Sequence, residues 1–344
     1  MAKKSPEEKR QILVNYFKTT YDHNYDKISQ FMEYIWPIYN MVQSSTQYWN
    51  GFNSSGISKF DIEWEKLARS KDFIQSQKLV EDFYRELGID VNFDELMKDG
   101  TLDIKFFDKN DPDNNNNYLA GNFQGSIGIS NYHPYIEVMD QGFVLDASVY
   151  AHEIGHYINE NFGRDTFGRE LLTESVAHFF ELLFADYLCE RGYEYDGTIS
   201  KRLVQYTLYH CSWDALYIFR LFILFLKYND INEEKYNEDF GGTLFNDVID
   251  RCYEVIIEKH TLRARIKHSI AFSLSIYMYI KYKNDKEFIE AVKKLNDKMM
   301  KDYTIEELLT IIGITGLDND NMKKILASFE SFKEMLIGYS KRSI

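Results

Sequence analysis

Val149-Tyr-Ala-His-Glu-Ile-Gly-His156 and, with seventeen residues between His156 and Glu174, Thr173-Glu-Ser-Val-Ala-His-Phe-Phe-Glu181 are the stretches that decide how this chain is read. The first contains His152-Glu153-x-x-His156, on a helix predicted to begin near Asp146 and to end at Asn161 to Gly163. Residues i and i+4 share a helix face, so both imidazoles can reach one ion at the usual Zn–N distance of ~2.0 Å. Glu153 is offset around the helix, beside the ion, where its carboxylate can hold a water. By itself the pattern also describes two surface histidines with a solvated glutamate, so a third ligand has to decide. The extended form HExxHxxGxxH is excluded, because positions 159 and 162 are Asn159 and Phe162.

A second predicted helix, Leu171 to Leu188, supplies the missing group. Glu174, Ala177, His178 and Glu181 fall on one face, while Leu172, Val176, Phe179 and Leu183 cover the apolar side. The intervening residues are enough to end one helix at Gly163, turn through Arg164 to Gly168 and return antiparallel. The expectation is one zinc ion per chain, held by His152, His156 and Glu174, with Glu153 as general base. His178, one turn from Glu174, is the alternative ligand. Glu181 is either an acceptor for a ligand imidazole or a surface carboxylate.

Around these helices the chain reads as mainly α. Only 4 prolines occur in 344 residues, and long segments repeat apolar positions three and four apart. Ser70 to Leu87 is predicted helical, with Leu79, Val80, Phe83 and Leu87 on one stripe and Gly88 beyond its end. Ser5, Pro6 and Glu8 form a helix-start pattern rather than a secretory leader. A small sheet is expected just before the metal motif, from strands at Leu102–Phe107, Asn122–Ile129 and Tyr135–Met139. The polar run Asp108 to Asn117 lacks the glycine and terminal glutamate of an EF-hand and is expected as an exposed loop.

With 54 acidic and 40 basic side chains the net charge is −14, which disfavours nucleic acid and anionic membrane as partners. The apolar runs Trp213–Leu226 and Ile270–Ile280 fall short of the ~20 residues of a membrane span and are read as buried helices. Cys189, Cys211 and Cys252 are odd in number and widely spaced, which suits reduced thiols and a cytoplasmic location.

The chain resembles the oligoendopeptidase F and thimet oligopeptidase family of zinc peptidases. Four segments carry the likeness in the family's order: Gly121-Asn-Phe-Gln-Gly-Ser-Ile-Gly with His133-Pro-Tyr-Ile-Glu-Val-Met, then Val149–His156, then Thr173–Glu181, then Arg265-Ile-Lys-His268. It extends from about Gln75 to a C-terminal stretch around Ile305-Glu-Glu-Leu-Leu and Gly313 to Leu336. The resemblance implies a zincin-like catalytic domain of the gluzincin kind over residues 71–344, with a small sheet next to the active-site helix. Residues 1–70 are expected as an N-terminal helical segment in one compact unit with it. The implied activity is endopeptidase cleavage of short, extended oligopeptides, bound partly along the edge near Tyr135 to Met139. His268 with Tyr277, or Tyr279 as fallback, is implied as the donor pair for the oxyanion, provided the chain bends near His268. Two departures stand out: a shorter chain before the metal motif and a tighter spacing from His156 to Glu174. Gluzincin aminopeptidases, one alternative, carry a Gly-x-Met-Glu-Asn-type segment that is absent here. The other alternative is a zinc-containing peptide-binding module without turnover. Oligomeric state is left open.

Overall fold

The computed structural model describes residues 4–23, 39–50, 62–71, 73–98, 103–108, 125–130, 133–140, 142–158, 167–241, 245–293, 309–315 and 319–342. Outside the described residues lie the expected helix end at Asn161–Gly163, most of the Asp108–Asn117 loop, Gly121–Gln124 of the glycine-rich segment and Ile305–Leu308. The chain divides into two compact units. One comprises residues 1–58, 207–270 and 317–322, the other residues 59–206, 271–316 and 323–344.

In the first unit, α1 (Pro6–His23) begins as its sequence predicts: the Ser5 N–H donates to the Glu8 carboxylate at 2.7 Å and the Glu8 N–H donates to the Ser5 hydroxyl at 3.3 Å. Residues 39–50 form a further helix, α2. Phe17 on α1 packs against Phe222 and Phe225 at ring distances of 5.5 and 6.0 Å. Lys9 and Arg10 pair with Asp250 (2.9 Å) and Asp230 (2.8 Å). Asp214 is buried, and it is held by both nitrogens of the Arg251 fork at 2.6 and 2.8 Å.

The second unit is built around helix pairs. The predicted helix at Ser70–Leu87 is α3 (Phe73–Glu86), closed by Gly88 at φ +71°, with the Ile89 N–H returning to the Tyr84 carbonyl at 2.8 Å. Next come α4 (Phe93–Lys98) and the strands β1 (Asp103–Asp108), β2 (Gly125–Ser130) and β3 (His133–Asp140). The strands form a sheet of order β1-β3-β2, parallel between β1 and β3 and antiparallel between β2 and β3, with Ile104 and Ile127 both in register with Ile136. This arrangement corrects one expectation. Tyr135–Met139 lies on the central strand, paired on both sides, so the backbone edge it was expected to offer a peptide is taken.

Helix α5 (Asp146–Ile158) follows the sheet and packs beside β2 and β3; α6 (Phe167–Glu190) packs along α5. The entry to α5 is fixed from upstream. Residues 68–70 pair with 142–144, the Val144 N–H donating to Ala68 and the Ser70 N–H to Gly142. Leu67, Phe143, Leu145 and Ile199 close a local core beneath that pairing. Further α-helices are α7 (Glu194–Tyr228), α8 (Glu233–Phe240), α9 (Phe245–Tyr253), α10 (Leu262–Tyr282), α11 (Lys286–Lys293) and α12 (Asn319–Arg342). The apolar runs at Trp213–Leu226 and Ile270–Ile280 are the largely buried parts of α7 and α10. Among the described residues no helix is long and apolar enough to cross a membrane.

Candidate metal centre

Two adjoining helices bring the polar groups together because their backbones approach closely. The crossing is at Gly155: a Cβ there would stand 3.0 Å from the Cα of Ala177 and 3.5 Å from its Cβ. Glycine between the two motif histidines therefore admits α6, and Glu174, three residues before Ala177, arrives beside both rings. From the other side the buried Tyr84 hydroxyl donates to the Ala151 carbonyl at 2.6 Å, which anchors α5 next to His152.

The Nε2 atoms of His152 and His156 are 3.1 Å apart. Oε2 of Glu174 is 3.7 Å from His152 Nε2 and 3.4 Å from His156 Nε2. Four-coordinate zinc with bonds of ~2.0–2.1 Å has ligand–ligand edges of about 3.3–3.4 Å, and the three separations bracket that value. Two neutral imidazoles and a carboxylate are also the donor set such an ion takes, so the residues fit it. Glu153 is buried, with a carboxylate oxygen and one nitrogen of each motif histidine all within 4.8 Å of one another. Glu153 sits between the two histidines in sequence and beside them in space, which suits a group that acts on water at the site.

Charge in this cluster is set by burial working against close opposite charge. Burial alone pushes the His152 imidazolium down, but Glu181, Glu153 and Glu174 outweigh it and raise its pKa to about 9. Glu181, which burial would raise, is brought to about 2 by His152 and His178. His178 is lowered to about 4 by burial, with His152 adding to the effect. Burial raises Glu153, against the pull of His152 and His156.

The sequence left Glu181 between two roles, and the structure places it inside the cluster. Its Oε2 accepts from the His178 Nδ1–H at 2.8 Å and lies 3.4 Å from His152 Nδ1. The His178 ring is stacked on Phe272, centroids 3.8 Å apart at 25°. The i, i+3 spacing of His178 and Glu181 on α6 was the available signal for this pairing.

The expected oxyanion pair is not brought together. Helix α10 runs as one continuous α-helix from Leu262 to Tyr282. Nine residues at 3.6 per turn put His268 and Tyr277 on opposite helix faces. The Tyr277 hydroxyl instead accepts from Lys281 Nζ at 2.9 Å and donates to the Gly313 carbonyl at 3.4 Å. The fallback, Tyr279, donates to Asp186 at 2.7 Å. His268 belongs to the segment 207–270 of the first unit.

The fold is similar to that of a solved structure. It is a crystal structure from Bacillus anthracis str. Ames described as a "putative oligoendopeptidase F", with a TM-score of 0.58 and 12% sequence identity. The match covers 97% of this chain and 63% of that one, so the chain spans less than two thirds of its length. At that identity the likeness is one of fold. No family model matches the sequence, and no curated protein matches it.

Proposed function

We propose that the chain is a zinc-dependent endopeptidase that cleaves internal bonds of short, extended oligopeptides. The observation that carries this reading is the spacing of His152 Nε2, His156 Nε2 and Glu174 Oε2, which has the edges of a zinc site, with the carboxylate of Glu153 beside it. The shared fold with an oligoendopeptidase-like structure supports it. His152, His156 and Glu174 would hold the ion, one per chain. When bound, it supplies a Lewis-acidic centre that polarises a carbonyl and lowers the pKa of water to about 7. Glu153 takes the proton from the attacking water on its carboxylate and passes it to the leaving amine. Burial of Glu153 favours that role, since a carboxylate with a raised pKa holds the transferred proton more readily. Glu181 fixes the tautomer of His178 through its 2.8 Å hydrogen bond and faces His152 Nδ1 at 3.4 Å. An extended substrate would pair with the outer side of β2, whose described partner is β3 alone.

The test is incubation of the purified chain with one equivalent of zinc and a mixed peptide library, with and without chelator, and mass spectrometry of the products. Internal cuts that vanish with chelator are expected. Release of single N-terminal residues only, or cleavage indifferent to chelator, would overturn the reading.

A further inference from the structure

We propose that His178 is a third imidazole ligand, so that four side chains, His152, His156, Glu174 and His178, hold the metal in the resting protein. The inference rests on the zinc reading above. It comes from the near-equivalence of two rings. His152 and His178 lie side by side, centroids 4.3 Å apart, and span the same two carboxylates. At one end Glu181 Oε2 meets both Nδ1 atoms, at 3.4 Å for His152 and 2.8 Å for His178. At the other end Glu174 Oε2 faces both Nε2 atoms, at 3.7 and 3.8 Å.

A carboxylate only accepts hydrogen bonds, so the proton that His178 gives to Glu181 sits on Nδ1, and the second nitrogen, Nε2, stands 3.8 Å from Glu174 Oε2. An imidazole anchored at one nitrogen by a carboxylate, with the other nitrogen turned to a cation, is how protein sites orient metal-bound histidine. His178 Nε2 stands within 0.1 Å of the same distance from Glu174 as His152 Nε2 does, at 3.8 against 3.7 Å. Its ring plane is held by the stack on Phe272 and by its near-complete burial. By sequence, position 178 is an alternative to Glu174 as the third ligand. The structure points to it as an addition.

A site closed in this way has no position left for water. A resting protein that held the ion in this way would be latent, because zinc supplies a water of lowered pKa only where one position is left to it.

X-ray absorption at the zinc edge, on the full chain loaded with one equivalent of zinc(II), reads the number of imidazole ligands. Three are expected in the wild type and two in His178→Phe, whose ring preserves the stack on Phe272; His178→Gln serves should the phenylalanine variant not fold. Two imidazoles in the wild type would overturn the proposal and leave His178 as an anchor for Glu181 alone. Three in both wild type and variant would also overturn it, by assigning the third to another histidine. A wild type that binds no zinc by metal analysis would defeat the zinc reading itself, and this proposal with it, an outcome distinct from either count.

Discussion

Helices α5 and α6 carry their polar groups at intervals of one, three and four residues, whereas α10 carries its two expected participants nine residues apart. In the first pair every group named from sequence arrives at one place: His152 and His156 at 3.1 Å, Glu174 beside them, and Glu181 behind. On α10 the nine-residue interval spans two and a half turns of one continuous helix, which sets the two side chains on opposite faces. Spacing within one helical turn is enforced by the backbone hydrogen bonds themselves. Spacing over two and a half turns depends on the phase of the helix, which any resemblance in sequence must get right to the residue.

The largest expected effect is on the α5 side. Glu153→Gln removes the proton acceptor and leaves all the ligand atoms in place, so kcat should fall roughly 10²–10⁴-fold with zinc content unchanged. Steady-state kinetics beside metal analysis reads both quantities. A variant that keeps its turnover would show that proximity on α5 does not translate into chemistry.

The seat of α5 offers a test by pH. Asp196 is buried, its Oδ2 accepts from the Ala68 N–H at 3.2 Å, and burial raises its pKa from 3.8 to about 6. A carboxyl whose folded pKa lies above its unfolded value contributes stability that is fully present below pH 3.8 and is lost as pH rises through about 6. Asp196→Asn cannot titrate. The unfolding free energy of the wild type minus that of the variant should therefore fall by on the order of 2 kcal/mol between pH 4 and pH 7. A difference that stays flat or rises across that window would contradict the sign.

Much of this was legible before the structure. The helix starts at Ser5 and Asp146, the glycine stop at Gly88, the three strands and the polar face of α6 with Glu174, His178 and Glu181 all follow from local rules that act within a few residues. What the sequence withheld depends on partners distant along the chain. The order of the strands puts β3 in the centre, and nothing in the alternation of His133–Asp140 distinguishes a central strand from an edge. The partners of Tyr277 and Tyr279, Gly313 and Asp186, lie 36 and 93 residues away. The role of Gly155 was equally hidden, since the motif tolerates other residues there and only the approach of Ala177 makes glycine necessary.

That approach predicts a smaller effect. Gly155→Ala places a Cβ at 3.0 Å from the Ala177 Cα, a backbone atom that cannot rotate away, so α6 must shift outward and carry Glu174 with it. Overpacking of this kind costs about 1–3 kcal/mol. Stability by chemical denaturation should drop within that range, and zinc affinity should drop with it while His152 and His156 remain intact. Lost stability with unchanged affinity would mean that Glu174 follows the ion independently of the helix crossing.

The smallest effect belongs to α10. Tyr277→Phe removes a hydroxyl that is 2.9 Å from Lys281 Nζ and 3.4 Å from the Gly313 carbonyl, two contacts that tie α10 to a turn where Gly313 has φ +75°. Losing a pair of such hydrogen bonds costs about 1 kcal/mol net, because Lys281 is partly exposed and can turn to water. The melting temperature should fall by a few degrees, with kcat, KM and zinc content unaltered. A hydroxyl that served the oxyanion would give the opposite pattern, a loss of kcat of ten- to a thousandfold at unchanged stability. Running His268→Ala beside it separates the two expected participants: their opposite phases on one unbroken helix predict that the two substitutions do not behave alike. A matched fall in kcat for both would mean that α10 bends when substrate binds, and that the contrast with α5 and α6 holds only in the absence of substrate.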